Sequence, residues 1–263
     1  MIERVRCLLD ENCIVRYILK MKSHDVNLHG DLYSQLQKAA SVFNAELFDG
    51  QLPAFVFTLQ RRKDSSGYFS PDQWGNKNGE FASEIAINPS CLTNQSLLIL
   101  FQIMVHELCH LWQHTYGSNK PRVGYHNQEW AEKMMQMGLI PSDTGEAGGK
   151  KTGQKMADYP LPNGKFMGVC EGLVKSGFWL DWVDRDFNSN LVSHRSMPKG
   201  GMEMLNLPLR NYFPALNPLV KAGREEKKKI RYSCPKCEMR VWGKPDLWIK
   251  CMGCNRKLVR AKQ

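Results

Sequence analysis

Residues 105–114 read VHELCHLWQH, three histidines and one glutamate inside a run that is otherwise that of a greasy helix. Histidines four positions apart stand one turn apart on the same face, so His106 and His110 can reach one ion while the intervening Glu107 approaches a water on it. The enclosing segment, about Gln95 to Tyr116, has an apolar stripe of Leu97, Phe101, Met104, Leu108 and Leu111, with Gly117 as its stop. At about 100° per residue, His106 and His110 fall opposite that stripe. The sequence therefore predicts a helix that packs on one side and presents imidazoles on the other.

A catalytic zinc usually has three protein ligands and one open position. His114 lies a further turn along, but the rise from His106 is about 12 Å, whereas Zn–N bonds are only ~2.0–2.1 Å. One straight helix cannot bring all three rings to one ion, so His114 is expected to be exposed or to support a ligand. The third ligand must come from beyond the helix. His126 is the first candidate, because GSNKPRVGY (117–125) lets the chain double back, and Glu129, one turn into the next helix, is the second. The metzincin pattern is excluded, since Gln113 and Tyr116 stand where it needs Gly and His. Such a centre suits peptide hydrolysis, with Glu107 as general base and then acid. Tyr125 and Tyr68 are candidate donors to the oxyanion.

The flanking segments build a small α+β domain. Residues 31–48 place Leu32, Leu36, Ala39, Phe43 and Leu47 on one helical face, with Asp31 as N-cap and Gly50 past the end. AFVFTLQ (54–60) and EFASEIAIN (80–88) read as strands of a small antiparallel sheet, with SSGYFSPDQWGNKNG (65–79) as turn chemistry between them and Pro89 as the end. A short helix spans about Gln128 to Met137, with Trp130, Met134 and Met137 on one face. DTGEAGGKKTGQK (143–155) is a basic loop. It is no phosphate-binding loop, because Thr144 and Lys151 break that pattern. GKFMGVCEGLVKSG (164–177) reads as a helix and GFWLDWVD (177–184) as a strand, and residues 184–225 show no sustained period.

Cys234-Pro-Lys-Cys237 and Cys251-Met-Gly-Cys254 form paired knuckles, the spacing of a structural zinc site closed by four thiolates. The module is too short to own a core, so metal must hold it together. Tyr232, Trp242 and Trp248 are interleaved with Lys236, Arg240, Lys244, Lys250, Arg256 and Lys257. Aromatic faces flanked by cations suit a single-stranded nucleic acid. The tail as a whole agrees: residues 221–263 hold 14 Lys/Arg against 4 Asp/Glu, equal to the whole formal charge of +10.

With 263 residues, 42% of them apolar, one main domain and an appendage are expected. The N-terminal MIERVRCLLDENCIVRYILKMK has no secretory cleavage pattern, and no apolar run would span a bilayer. A cytoplasmic protein, nucleoid-associated if bacterial, is expected, without membrane contact and as a monomer. Nine cysteines there are not a disulfide framework. Cys7, Cys13, Cys91, Cys109 and Cys170 read as inert thiols, and His24, His29 and His194 have no evident partners.

FNAELFDGQLP (43–53), VHELCHLWQH, HNQEWAEKMMQMGLIP (126–141) and the terminal CxxC pairs together resemble the SprT-like, Spartan-related metalloprotease family. The resemblance covers roughly 31–141 and 230–256, and TGEAGGKKTGQKMADY (144–159) is similar to plasmid- and phage-borne branches. It implies His106, His110 and His126 as zinc ligands, Glu107 as acid/base, and cleavage of DNA-bound or crosslinked proteins. The expected organisation is an N-terminal extension (1–30), a zincin core (31–141), an accessory segment (142–225) and a basic zinc ribbon (226–263). Two zinc ions per chain are expected, one catalytic and one structural, with DNA, single-stranded or of mixed form, and DNA-bound proteins as partners. The rival expectation is a non-catalytic, transcription-related nucleic-acid-binding protein. A small-amide hydrolase is a third.

Overall fold

Among the described residues, four helices of ten residues or more and a three-stranded sheet enclose the main core. In the computed structural model, residues 27–62, 65–93, 95–184, 203–213 and 229–260 are described. The readings of Cys7, Cys13, His24, His194, residues 1–26 and most of 184–225 fall outside them. The chain divides into two compact units, Met1–Phe213 and Pro214–Gln263. No described helix is long and apolar enough to cross a membrane.

Helix α1 (Leu28–Leu47) starts earlier than the sequence suggests, because Asn27 caps it by accepting from Gly30 N at 2.9 Å. Asp31, the expected cap, lies in the first turn, where a carboxylate favours the helix dipole. Leu36, Ala39, Ala40, Phe43 and Leu47 form its buried face. Phe43 meets Phe101 edge-on, with ring centroids 5.3 Å apart, which joins α1 to α2 (Leu97–Tyr116). Ser96 caps α2 by accepting from Ile99 N. Residues 97–109 of α2 are all buried, so this part of the helix is enclosed on every side. The side of α2 expected to present the imidazoles is covered by the sheet and by the elements that follow.

The sheet is mixed, which corrects the antiparallel expectation. Its order is β1 (Phe55–Leu59), β3 (Phe81–Ile87), β2 (Gly67–Gly75). β3 pairs antiparallel with β2 and parallel with β1, Phe57 opposite Ile85. The chain reverses at each connection, so β3 regains the direction of β1 and inserts beside it. Residues 67–75, expected as a turn, are the edge strand β2, and the turn proper is confined to 76–80. Pro71 and Asp72 disguise it. They fall in a bulge between Ser70 and Trp74, where Asp72 has φ 49°, and an edge strand tolerates a proline.

Helix α3 (Gln128–Met137) is capped by Asn127 and stopped by Gly138 at φ 90°, a left-handed value that favours glycine. β4 (Leu139–Ser142) pairs antiparallel with β5 (Ala157–Pro160). The core boundary expected at residue 141 therefore falls inside a hairpin, whose loop is the basic segment 143–156. Helix α4 (Lys165–Lys175) buries Phe166, Cys170 and Leu173, with Phe166 stacked on Phe43 of α1. Residues 177–184, expected as a strand, have no partner strand among the described residues. Phe178 and Leu180 are nevertheless buried, Phe178 against Phe101. Of the segment read as irregular, residues 203–213 form two short helical turns, and Leu205 and Leu209 enter the core.

The second unit holds β6 (Ile230–Ser233) between β10 (Val259–Arg260) and β7 (Arg240–Gly243), and a β8 (Lys250–Cys251)–β9 (Arg256–Lys257) pair. Its core is small: Tyr232, Cys234, Cys251 and Leu258.

Candidate metal centres

His106 and His110 of α2 meet His126, which ends the 117–125 loop and precedes α3. Their ring centroids lie 4.7–5.2 Å apart, and one nitrogen from each lies within 4.8 Å of the other two. His106 Nε2 faces His126 Nε2 at 3.1 Å. Two nitrogens on a tetrahedral zinc with ~2.0–2.1 Å bonds would be ~3.4 Å apart, so the observed spacing is that of a ligand pair. The opposite ring nitrogens are occupied. His106 Nδ1 lies 3.1 Å from Asp158 Oδ2, and His126 Nδ1 lies 3.1 Å from the Gly153 carbonyl. Protons held on Nδ1 leave Nε2 lone pairs for a cation. The donor set fits zinc.

Asp158 is fully buried in β5. The Gln102 side-chain amide, with its nitrogen turned to the acceptors, donates to Asp158 Oδ1 at 3.0 Å and to its carbonyl at 3.2 Å. Sequence reasoning missed Asp158, and the available signal was a lone carboxylate in the short apolar stretch MADYP (156–160). The sequence places Trp130 only on one face of the short helix. Its indole contacts all three rings, at 4.7 Å from His106, 5.2 Å from His110 and 4.4 Å from His126. Trp130 Nε1 is buried without a hydrogen-bond partner, so the indole contributes its faces.

The opposite wall is β2. Phe69 stacks on His110 at 6.3 Å. Glu107 is buried, and a side chain at Gly67 would come within 3.3 Å of Glu107 Oε1 and 2.8 Å of Ile103 Cγ2. Glycine at 67 makes the room that the Glu107 carboxylate uses. His110 titrates well below its ordinary value of 6.5, first because of burial, then through the charges of His106 and His126. It is neutral near pH 7, the form a metal requires.

The remaining candidates fall outside the triad. His114 Nε2 pairs with Asp72 Oδ2 at 3.1 Å, clipping α2 to the β2 bulge. Glu129, the second candidate for third ligand, is turned away. It accepts from Ser118 N and Oγ, Asn119 N and Gln113 Nε2, and so fastens the loop that carries His126. Burial raises its pKa, but these bonds outweigh that and hold it below the ordinary carboxyl value. Tyr68 is no oxyanion donor, because it projects from the opposite sheet face to Gly67 and Phe69 and donates to Glu84 at 3.1 Å. Tyr125 sits beside His126 with the Arg122 guanidinium 4.9 Å from its ring centre. Cys109 and Cys170 are buried thiols, pushed well up by desolvation, and inert.

In the second unit, Cys234, Cys237, Cys251 and Cys254 bring their sulfurs within 4.8 Å of one another, with Cys237 and Cys251 at 3.7 Å. Sulfurs on a tetrahedral zinc with ~2.3 Å bonds would be ~3.8 Å apart. Main-chain N–H groups of Cys237 and Lys236 bring Cys234 down to about 7, towards the thiolate that metal needs. This cluster fits a zinc ribbon. Tyr232 is corrected from contact residue to core residue: it is buried, and its hydroxyl donates to Lys244 O and accepts from Leu247 N. Trp242 and Trp248 are exposed, the latter 85%, and Lys257 Nζ lies 3.8 Å from the Trp248 ring centre. Lys236, Arg240, Lys244, Lys250, Arg256 and Lys257 are exposed around them.

The SprT-like family matches residues 36–146. Over 75 residues, 28% of this chain, the sequence is 39% identical to a Salmonella typhimurium protein described as the uncharacterized protein in the mucB 3' region. That span covers 99% of the Salmonella protein. No solved structure matches the chain. The chain belongs to the SprT-like family, and its first unit carries a metalloprotease-like domain of that family.

Proposed function

We propose that the protein is a DNA-associated, zinc-dependent metalloprotease that hydrolyses peptide bonds of DNA-bound or DNA-crosslinked proteins. The observation that carries this reading is a three-imidazole set in which the Nδ1 atoms of His106 and His126 are already engaged, with no fourth protein ligand beside it among the described residues. Structural zinc sites are closed by four protein ligands, whereas catalytic ones keep a position open. A zinc ion held there supplies Lewis-acid polarisation and brings the pKa of water towards ~7. Asp158 and Gly153 hold the protons of His106 and His126 on Nδ1. Glu107 takes the proton of the attacking water and delivers it to the leaving amine, from a site that β2 shields.

The ribbon supplies location. Trp242, Trp248 and the six cations suit a single strand, on which bases stack while phosphates meet Lys and Arg. Tethering there raises the effective concentration of the metal site near bound proteins, so selectivity comes from place rather than from a deep side-chain pocket.

The test is Glu107→Gln. The variant should keep two zincs and its fold and lose cleavage of DNA-bound proteins. Equal behaviour of wild type and variant on every protein substrate, with and without DNA, would favour the non-catalytic nucleic-acid-binding reading.

A further inference from the structure

Two loops meet beside the third imidazole. His126 and Gly153 exchange both main-chain hydrogen bonds, at 2.8 and 3.0 Å, tying residues 117–125 to the hairpin loop 143–156. Lys120 and Arg122 stand on the first loop and Lys150, Lys151 and Lys155 on the second, all exposed. Among the described residues none of the five pairs with a carboxylate.

The acids close by in sequence are engaged elsewhere. Asp143 Oδ1 accepts from Lys150 N at 2.8 Å, Glu129 is taken up by Gln113, Ser118 and Asn119, and Asp158 is buried against His106. On the two loops, five cations stand against Asp143 and Glu146 alone. The turn from Arg122 to Tyr125 is closed by Tyr125 N donating to Arg122 O at 3.0 Å, and Arg122 rests over the Tyr125 ring. Its guanidinium thus lies against the ring of the residue next to His126. Five cations against two carboxylates leave a net charge of +3 on the two loops, and an external polyanion offsets the repulsion among them.

We propose that this rim is a nucleic-acid contact of the catalytic unit itself, separate from the ribbon, which holds strand phosphates beside the metal site. It rests on the nucleic-acid reading above and adds a second footprint to it. Five cations distributed over two loops match a run of phosphates better than a single substrate carboxylate. A protein attached to the strand is then presented at the imidazole triad as well as kept nearby.

The experiment uses the full-length, zinc-loaded protein and a short fluorescein-labelled oligodeoxynucleotide, single-stranded and duplex, titrated over a series of KCl concentrations. The variant with Lys120, Arg122, Lys150, Lys151 and Lys155 all changed to Gln should bind more weakly. It should also lose about 0.7 of the log–log salt slope on single strands, and about 0.9 on duplex, for each phosphate contact removed. A ribbon variant, Trp242→Ala with Trp248→Ala, should weaken binding yet retain the slope that the rim supplies. Zinc content and circular dichroism report folding, and Lys150→Gln with Lys151→Gln serves where the fivefold variant fails them.

Wild-type affinity and slope in the rim variant, with loss in the ribbon variant, would overturn the rim and leave the nucleic-acid reading standing. Absence of oligonucleotide binding by the wild type would remove both. Unchanged oligonucleotide binding with slower cleavage of peptides rich in Asp and Glu would reassign the cations to acidic substrates, and the proposal would be wrong.

Discussion

Asp158 Oδ2 lies 3.1 Å from His106 Nδ1, with both groups buried, although 52 residues separate them in the chain. The carboxylate fixes which ring nitrogen carries the proton and so which one is offered to the metal. Asp158→Asn presents an amide whose nitrogen can donate to Nδ1, which pushes the proton to Nε2. Zinc affinity at the triad is expected to fall about 10–100-fold, read by chelator competition, with the ribbon zinc retained. Unchanged affinity would remove Asp158 from the metal's support.

His126 and Glu129 separate ligand from scaffold. His126→Ala should reduce the zinc count from two to one. Glu129→Gln should keep both ions yet lower stability by about 1–3 kcal/mol, because main-chain and side-chain donors lose a charged acceptor. Metal analysis with urea denaturation distinguishes the two. A zinc lost from the Glu129 variant would reverse their roles.

Acid should act on the metal-free protein through His110. Its folded pKa is well below 6.5, so the unfolded chain takes up the proton first. The stability associated with neutral His110 is therefore present above about 6.5 and lost as pH falls from there towards the lower folded value. The urea midpoint of the metal-free form should drop below that pH, and zinc affinity should decline over the same range. A midpoint that rises on acidification contradicts this.

The ribbon should depend on its metal alone. Cys237→Ser is expected to lose one zinc and open residues 229–260 to proteolysis, while the triad keeps its ion. Separately, Trp248→Ala should weaken single-strand binding by about 1–3 kcal/mol, the value of one stacked base. Equal affinity would make that side chain a bystander.

Local spacing made much of the centre legible. The i, i+4 histidines and the four cysteines are short-range patterns with fixed geometry, and the structure groups them as the patterns place them; His126, one of two candidates for the third ligand, is the one that joins the pair. What escaped notice depends on distant pairing. The edge strand was hidden by Pro71, Asp72 and two glycines, which only a bulged edge accommodates. Asp158 is an ordinary acidic residue until β5 closes on β4 and brings it to α2. Residues 177–184 alternate like a strand, yet alternation specifies burial, not a partner. Tyr232 shared the spacing of the exposed tryptophans but alternates inward on β6.

The β4–β5 hairpin touches two of the three imidazoles through their far nitrogens, His106 by Asp158 and His126 by Gly153. One excursion of the chain thus sets the tautomer of both rings at once. A nick or insertion between residues 143 and 156 would disarm the hydrolytic centre while every coordinating side chain stayed chemically intact.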